Sequence, residues 1–283
     1  MLVSFLTNHF SLEGGAFFAV FIAGILLCMV IPYLFGSLNF AIIISKLFYH
    51  DDIRKYGSGN AGTTNMLRTY GKLPAAATLL LDMSKGAVSV LFGFLILGDG
   101  VGKMVGDSAV ISMGGTYLAG LFAVLGHMFP CFYRFKGGKG VATTAVVVLC
   151  TNPIVFCILL LVFLVIVIGT KMISLGSVMC MLVYPLLLSR FAPTQPEGVL
   201  ISFLIAALVI FMHRSNIKRI WEGKESKISF KKHQKTPAAS EVTKAAPTEE
   251  ATEPTEETSA PKSNTPDKNT SKKKLKKQKN HDK

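Results

Sequence analysis

Three polar clusters interrupt a chain of 283 residues that is otherwise largely apolar. They combine glycine, hydroxyl and amide side chains with Arg and Lys, and they occupy residues 57–68 (GSGNAGTTNMLR), 135–140 (FKGGKG) and 213–219 (HRSNIKR). Proteins hold phosphate oxygens with Arg and Lys side chains and with backbone N–H groups that glycine leaves accessible. Three such clusters at one face of the protein would form a site for phosphorylated substrates.

The first cluster is a dense block of short polar side chains that ends in Arg68. Residues 57–62 match the G-x-G-x-x-G pattern, but the mostly charged segment 51–56 (DDIRKY) precedes them where a dinucleotide-binding fold requires an apolar strand. A flexible loop between helices would explain the glycines but not the hydroxyl and amide side chains around them. Since functional residues concentrate on loops that a rigid scaffold holds, we favour a binding site.

The second cluster only partly resembles a nucleotide-binding P-loop. Tyr133 stands where that pattern requires its first glycine, and Gly140 follows Lys139 where Ser or Thr is required. What remains is a lysine in permissive backbone at the start of a predicted helix, where free N–H groups and the helix dipole attract an anion. A signal for membrane orientation would need basic residues but no glycines. We therefore favour an anion site.

The third cluster directly follows the last apolar run. His213, Asn216 and Arg219 recur at a spacing of three residues, which places them on one face of a helix. A histidine that only lies at the level of the lipid headgroups explains this pattern about as well as a functional histidine does. Arg214 and Lys218 face elsewhere and are expected to anchor the helix.

Apolar helices must position these clusters. Half of the residues are hydrophobic and 17% are charged, and helices that are apolar on every side leave no polar face for water. We predict an all-α integral membrane protein with about seven transmembrane or partly spanning helices, several near the roughly 20 residues that a membrane helix needs. The apolar runs are residues 16–36, with 37–47 extending the first helix, 74–97, 108–129, 141–150, 153–168, 172–189 and 198–212.

Basic residues are concentrated in the loops that carry the clusters, and each other connection holds one. Positive loops face the cytoplasm, so we expect cytoplasmic clusters, an external N-terminus and a cytoplasmic C-terminus. The chain must then cross an even number of times between the second and third clusters. A break at Asn152-Pro153 satisfies this condition, because proline cannot extend the preceding helix. Seven helices fit, and so do five full crossings with a re-entrant pair that includes the short run 141–150.

The sequence also predicts how the chain divides into domains, what its net charge does and what its N-terminus is. Residues 1–230 form the membrane domain, and the Lys/Thr/Pro/Glu-rich tail 231–283, which has no aromatic residue, is predicted to be disordered. We attribute the net charge of +13 to basic residues that orient the helices in the membrane and attract the protein to anionic lipid headgroups. We expect no nucleic-acid partner. The N-terminus lacks the basic segment and cleavage site of a signal peptide.

Other side chains within the apolar runs also carry predictions. Charge inside a membrane is costly, so Asp82, Lys85 and His127 are expected to be paired or functional. Five cysteines without C-x-x-C spacing are typical of small buried residues, and they support neither disulfides nor a metal site. The cysteines are Cys28, Cys131, Cys150, Cys157 and Cys180.

Together the clusters resemble the bacterial acyl-phosphate:glycerol-3-phosphate acyltransferase family (PlsY). The matching segments are residues 57–68, 126–143 (GHMFPCFYRFKGGKGVAT), 213–220 and 81–86 (LDMSKG), within about residues 16–230. Thr63 and Met66 depart slightly from the family pattern. The resemblance implies a multi-pass enzyme of the bacterial cytoplasmic (inner) membrane, with its active site facing the cytoplasm. It would transfer a fatty acyl group from acyl phosphate to the sn-1 hydroxyl of glycerol 3-phosphate in phospholipid synthesis.

By motif position, the resemblance implies His213, Asn216 and Lys139 as catalytic residues. The residues that it implies for substrate binding are Ser58, Gly59, Asn60, Thr64, Asn65, Arg68, Gly137, Gly138 and Arg219. It implies no cofactor and no metal, with acyl phosphate, glycerol 3-phosphate and membrane lipids as partners, and it leaves open a functional coupling to the enzyme that makes acyl phosphate. The base is either His213 or the departing phosphate.

Two further patterns bear on the function. The His-x4-Asp pattern of thioester-using acyltransferases is absent at His50, His127 and His213. The residues five positions after them are Lys55, Phe132 and Lys218, respectively. A transporter of phosphorylated compounds is the main alternative, but it would place its site near the bilayer midplane and commonly shows internal repeats. A structural scaffold would not need the three clusters.

Overall fold

The computed structural model of the protein describes residues 1–98 and 114–228. These residues form helices, and no strand occurs among them. The predicted tail 231–283 and residues 108–113 of the third apolar run lie outside the described residues. The helices are α1 (Leu2–His9), α2 (Gly14–Gly36), α3 (Phe40–Tyr49), α4 (Thr63–Thr69), α5 (Lys72–Leu97), α6 (Gly114–Met128), α7 (Val141–Thr151), α8 (Pro153–Thr170), α9 (Ile173–Phe191), α10 (Pro196–Met212) and α11 (Arg214–Trp221).

Several segments of the described residues are long and apolar enough to cross a membrane. Five segments meet that condition, and α10 with α11, which are bent by 58° relative to each other, form a sixth if they count as one span. The outer surface is apolar as well, and Leu161, Val165 and Ile168 on α8 are each more than 60% exposed. The predicted class, an all-α integral membrane protein, is confirmed. The five segments are Gly14–Tyr49, Lys72–Leu97, Gly114–Tyr133, Pro153–Thr170 and Ile173–Phe191.

The predicted break between α7 and α8 is present. Asn152 accepts a hydrogen bond from the Val155 N–H at 3.0 Å, and Pro153 occupies the first turn of α8. With 11 residues, α7 is about 16 Å long, roughly half the hydrocarbon thickness of a bilayer. Lys139 before α7 and Ser174 on α9 line the same cavity, so α7 leads away from that cavity and α8 leads back.

Helices α9 and α10 likewise lead away from the cavity and back to it. Ser174 at the start of α9 and His213 at the end of α10 both line this cavity. Lys139, Ser174 and His213 therefore lie at one cavity, which is the arrangement that an even number of passages between the second and third clusters would produce. Cysteines introduced for Ser58, Lys136 and Ser215, all exposed, should then share one side of the membrane. The basic loops predict that this side is the cytoplasm.

This topology can be tested by labelling in a background without native cysteines. Membrane-impermeant reagents added outside intact cells should label none of these three positions, and all three should react once the cytoplasm is accessible. A cysteine for the exposed Thr194, in the turn between α9 and α10, serves as the matched external position. External labelling at Ser215 alone would show that the paired passages are wrong.

Residues 37–47 extend the first apolar segment to Tyr49, as expected, but the helix is interrupted between α2 and α3 instead of continuing. α2 ends at Gly36, and α3 begins at Phe40. Lys85 on α5 donates hydrogen bonds to two carbonyls of this break, Gly36 O at 2.9 Å and Leu38 O at 2.8 Å. Helix ends leave such carbonyls without an intrahelical partner. The break is thus stabilised by a buried lysine from a neighbouring helix.

Lys85 also confirms the expectation of paired charges. Its Nζ lies 3.0 Å from Asp82 Oδ1, and His127 Nδ1 lies 3.5 Å from the same oxygen. All three side chains are almost fully buried. The expectation that the cysteines are buried is wrong for Cys150 and Cys157, which are exposed on the apolar outer surface.

Small residues let α6 pack closely against α2 and α5. A Cβ atom on Gly36 would lie 2.3 Å from Ala123 O, and one on Gly93 would lie 2.1 Å from Gly115 O. Close approach of this kind is typical of membrane helices, whose association depends on packing. α6 is consequently buried along most of its length, and its C-terminal end supports the second cluster.

Candidate active site

A cavity of about 990 Å³ is lined by residues of all three clusters. One end is polar, and the other is an apolar arm between α5, α7, α8 and α9. Nine of the twelve predicted site residues line the cavity, and the exceptions are Gly59, Gly137 and Gly138. The nine are Ser58, Asn60, Thr64, Asn65, Arg68, Lys139, His213, Asn216 and Arg219.

Asn65 shapes the first cluster from within. Its Oδ1 accepts a hydrogen bond from the Ser58 N–H at 3.1 Å, and its Nδ2 donates to Ile53 O at 3.1 Å and Tyr56 O at 2.9 Å. The side chain is 1% exposed. Asn65 therefore holds the loop that carries Ser58, and its amide group is already occupied. Gly59 in the same loop has a φ of 69°, a backbone conformation that glycine adopts without strain.

Gly137 and Gly138 play a different part from the one expected. Their N–H groups donate to Met128 O at 3.2 Å and His127 O at 3.0 Å, so these amides are engaged with the end of α6. A Cβ atom on Gly138 would lie 2.0 Å from His127 Nε2. The two glycines allow the loop to approach α6 closely, and the structure gives their amides no free position for phosphate. Gly140, with φ of 78°, then starts α7.

Lys139 projects from this loop to the centre of the site, where it donates a hydrogen bond to Asn216 Oδ1. Burial, together with the positive charges of Arg219 and Arg68, lowers its pKa to about 8, against the opposing effect of Glu225. Arg68 lines the cavity with no carboxylate partner among the described residues. At neutral pH the site therefore gathers three cations with only part of their charge compensated.

Glu225 is a site residue that the sequence did not indicate. Its Oε1 accepts from Ser174 Oγ at 2.6 Å and from Asn216 Nδ2 at 2.7 Å, and its Oε2 accepts from Arg219 Nε at 2.8 Å. These donors hold the pKa of the carboxyl below its ordinary value despite partial burial. Glu225 thereby orients Asn216, whose Oδ1 then faces Lys139.

His213 is 2% exposed and lies between α10 and α11. Its Nδ1 is 2.8 Å from Val209 O. Because a carbonyl only accepts, Nδ1 carries the hydrogen, and Nε2 keeps its lone pair. Burial and the nearby Lys139 lower the pKa of His213 to about 4. The imidazole is consequently neutral at physiological pH.

Arg54, a basic residue of the loop before the first cluster, joins two clusters. Its NH2 pairs with Asp52 at 2.7 Å, and its NH1 donates to Tyr133 O at 3.1 Å and Lys136 O at 3.0 Å. The guanidinium thus connects the loop before residue 57 to the loop before residue 137. Arg54 therefore holds these two loops together, in addition to adding positive charge to the first of them.

Comparison with known proteins decides the family. A family model described as glycerol-3-phosphate acyltransferase matches residues 26–223. The chain belongs to this family. A member from Neisseria meningitidis serogroup C (strain 053442) is 43% identical over 200 residues, which cover 71% of this chain and 95% of the relative. Another, from Thermoanaerobacter sp. (strain X514), is 39% identical over 205 residues, or 72% and 96% of the two chains.

Two solved structures of family members are similar over the same region. Both are crystal structures of PlsY, described as an integral membrane glycerol 3-phosphate acyltransferase, in a glycerol 3-phosphate form and a lysophosphatidic acid form. The first is 34% identical with a TM-score of 0.63, covering 72% of this chain and 96% of that chain. The second is 33% identical with a TM-score of 0.60, covering 72% and 95%.

Membership of the glycerol-3-phosphate acyltransferase family makes the chain an acyltransferase of phospholipid synthesis that is integral to a membrane. The matched residues contain all three clusters and Asn216, His213 and Lys139 within them. They stop just before Glu225. This carboxylate therefore stands out through its contacts in the structure rather than through the matched segment.

Proposed function

We propose that this protein transfers a fatty acyl group from acyl phosphate to the sn-1 hydroxyl of glycerol 3-phosphate. The products are 1-acyl-glycerol 3-phosphate (lysophosphatidic acid) and inorganic phosphate. The observation that carries the proposal is a cavity in a glycerol-3-phosphate acyltransferase that is cationic at one end and apolar along its arm. Both substrates combine a phosphate with a neutral part, and such a cavity suits both.

The cationic end suits two phosphates close together. Arg68, Lys139 and Arg219 line it, and cations are needed to hold two anions side by side against their repulsion. Arg68 presents a planar guanidinium that can bind two phosphate oxygens at once. The glycerol 3-phosphate and lysophosphatidic acid forms of the solved relatives agree with this substrate and this product.

The apolar arm suits the fatty chain. It runs between Met83 on α5, Val148 on α7, Phe156 on α8 and Met181 on α9, and apolar walls of this kind bind ligands largely by excluding water. Leu160 lines the arm and is also 42% exposed on the outer apolar surface. A long acyl chain can therefore extend from the arm towards the lipid.

The reaction requires little covalent participation by the protein, because an acyl phosphate is a mixed anhydride with an activated carbonyl. The sn-1 oxygen attacks the carbonyl carbon, the bond to the phosphate oxygen breaks, and inorganic phosphate leaves. Positioning and charge stabilisation by Lys139 and Arg68 supply the catalysis. With a pKa near 4, His213 is a weak base, which favours the departing phosphate as proton acceptor. His213 Nε2 would orient the hydroxyl.

The basic residues around the cationic end favour a site that faces the cytoplasm of a bacterial inner membrane. Glycerol 3-phosphate is charged and water-soluble, and it would enter from that side. The acyl donor and the lipid product would move between the apolar arm and the bilayer. One cavity thus joins an aqueous substrate to a membrane product.

The donor can be tested with purified protein in detergent. With glycerol 3-phosphate as acceptor, we expect phosphate release from acyl phosphate and no turnover of acyl-CoA or acyl carrier protein, because the His-x4-Asp pair of thioester-using enzymes is absent. The Lys139→Ala variant, prepared identically, controls for spontaneous hydrolysis of the donor. Robust turnover with a thioester and none with acyl phosphate would overturn the proposal.

A further inference from the structure

The proposed site leaves one chemical group of the acceptor without a protein partner. The cations hold phosphate, the apolar arm holds the acyl chain, and the sn-1 hydroxyl meets the carbonyl. The middle hydroxyl of glycerol 3-phosphate must be desolvated in the same cavity, and an unpaired buried hydroxyl costs free energy. A site that discriminates this acceptor therefore needs a hydrogen-bonding group aimed at that hydroxyl.

Two of the buried titratable side chains that line the cavity have no part in the proposed reaction. Asp82 on α5 is 1% exposed and His127 on α6 is 3% exposed, and both line the cavity. Asp82 Oδ1 lies 3.0 Å from Lys85 Nζ and 3.5 Å from His127 Nδ1, but Asp82 Oδ1 and His127 Nδ1 make no hydrogen bond of good geometry among the described residues. Buried polar groups are rarely left this way.

Their position matches the part of the substrate in question. His127 O accepts from the Gly138 N–H, one residue before Lys139, and the backbone oxygen of Asp82 accepts from Thr143 Oγ1 at 3.2 Å. The imidazole of His127 also lies against Gly138, since a Cβ atom there would be 2.0 Å from its Nε2, and both side chains line the cavity together with Lys139 of the cationic end and Met83 of the apolar arm. We therefore place the pair at the boundary between the cationic end and the apolar arm. That boundary is where the acyl carbonyl and the glycerol carbons must meet.

The negative charge of Asp82 makes the pair unsuited to bind the phosphate groups or the acyl chain of the substrates. Asp82 and Glu225 are the acidic residues among those that line the cavity, and Glu225 already accepts three hydrogen bonds from Ser174, Asn216 and Arg219. A carboxylate repels phosphate and gains nothing from an acyl chain, but it is a strong acceptor for a hydroxyl.

We propose that Asp82 and His127 form a specificity site that binds the middle hydroxyl of glycerol 3-phosphate. This inference rests on the proposed function. Lys85 positions Asp82 and links the site to the α2–α3 break through Gly36 O and Leu38 O. The pair selects a glycerol phosphate over phosphorylated alcohols that have only the reacting hydroxyl.

The test compares two acceptors with acyl phosphate as donor. One is glycerol 3-phosphate, and the other is 3-hydroxypropyl phosphate, which keeps the phosphate and the primary hydroxyl but lacks the middle hydroxyl. Wild-type kcat/KM should favour glycerol 3-phosphate by about tenfold to a hundredfold, the range of one hydrogen bond to a charged group. Asp82→Asn and His127→Gln should lose most of this preference, because kcat/KM should fall much more with glycerol 3-phosphate than with 3-hydroxypropyl phosphate.

Ser89→Ala is the matched control. Ser89 lies on the same helix as Asp82, is 2% exposed and has no hydroxyl partner among the described residues, but it does not line the cavity. This variant should keep the wild-type preference. The control separates a lost substrate contact from a general effect of removing a buried polar group from α5.

The outcomes are distinguishable. Equal loss with both acceptors in folded Asp82→Asn and His127→Gln proteins would show a structural role and overturn the inference. Equal kcat/KM for the two acceptors in the wild type would overturn it without any variant, even if both variants fail to fold. Absence of wild-type turnover with either acceptor would instead overturn the proposed function, and this inference with it.

Discussion

Lys139→Ala and Arg68→Ala should each lower kcat/KM by about tenfold to a hundredfold or more, because each removes charge-assisted hydrogen bonds of roughly 1.5–3 kcal/mol to phosphate. Arg68→Lys should also be poor, since an ammonium group cannot reproduce a contact to two oxygens. Initial rates of phosphate release from acyl phosphate, with glycerol 3-phosphate varied, measure these effects.

Arg134→Ala is the control for a general effect of positive charge. Arg134 is exposed in the loop before the second cluster and does not line the cavity, so its loss should change kcat/KM little. Arg54 is unsuitable because it joins two loops. If the Arg134, Arg68 and Lys139 variants lost activity equally while inserting normally, the cavity would have only a diffuse electrostatic role.

The acidity of Lys139 adds a pH dependence to the same prediction. With a pKa of about 8 in the free protein, the lysine is cationic below that pH and loses its charge above it. Because kcat/KM reports the free enzyme, it should fall as pH rises through about 8. Lys139→Arg should lose this limb of the profile, since arginine stays protonated. If kcat/KM of the Lys139→Arg variant still fell as pH rises through about 8, a group other than Lys139 would cause that fall.

Gly138→Ala should reduce turnover by roughly a hundredfold. The added Cβ would lie 2.0 Å from His127 Nε2 and 2.7 Å from Ala61 O, so the loop must move away from α6 and carry Lys139 with it. A displacement of about 1 Å at a reacting centre can cost this much in rate. Steady-state kinetics on the purified variant, with its thermal stability measured in parallel, give the result.

Gly169→Ala provides the comparison, because a Cβ at Gly169 on α8 meets no atom within 4 Å. It should keep wild-type activity and stability. Activity of Gly138→Ala near the wild-type value would mean that the close approach to α6 is not required. Loss of stability without loss of specific activity in the folded fraction would mean that Gly138 serves folding alone.

The sequence by itself determined the protein class and the helix breaks that depend on local chemistry. Long apolar runs predict membrane helices because their composition alone sets the free energy of burial in lipid. The break at Asn152-Pro153 was predictable for a similar reason, since proline lacks an N–H and Asn152 caps the next helix. The clusters around Ser58, Lys139 and His213 were visible because their residue types stand apart from apolar neighbours.

Tertiary structure decided which atoms of those clusters face the cavity. Glu225 contacts Ser174, 51 residues away, and Asn216, 9 residues away, and no local spacing predicts such contacts. The amides of Gly137 and Gly138 are engaged because α6 ends beside them. These roles arise from helix packing between distant segments. Local composition indicates that a residue is polar or small, but the neighbouring helix determines what that residue contacts.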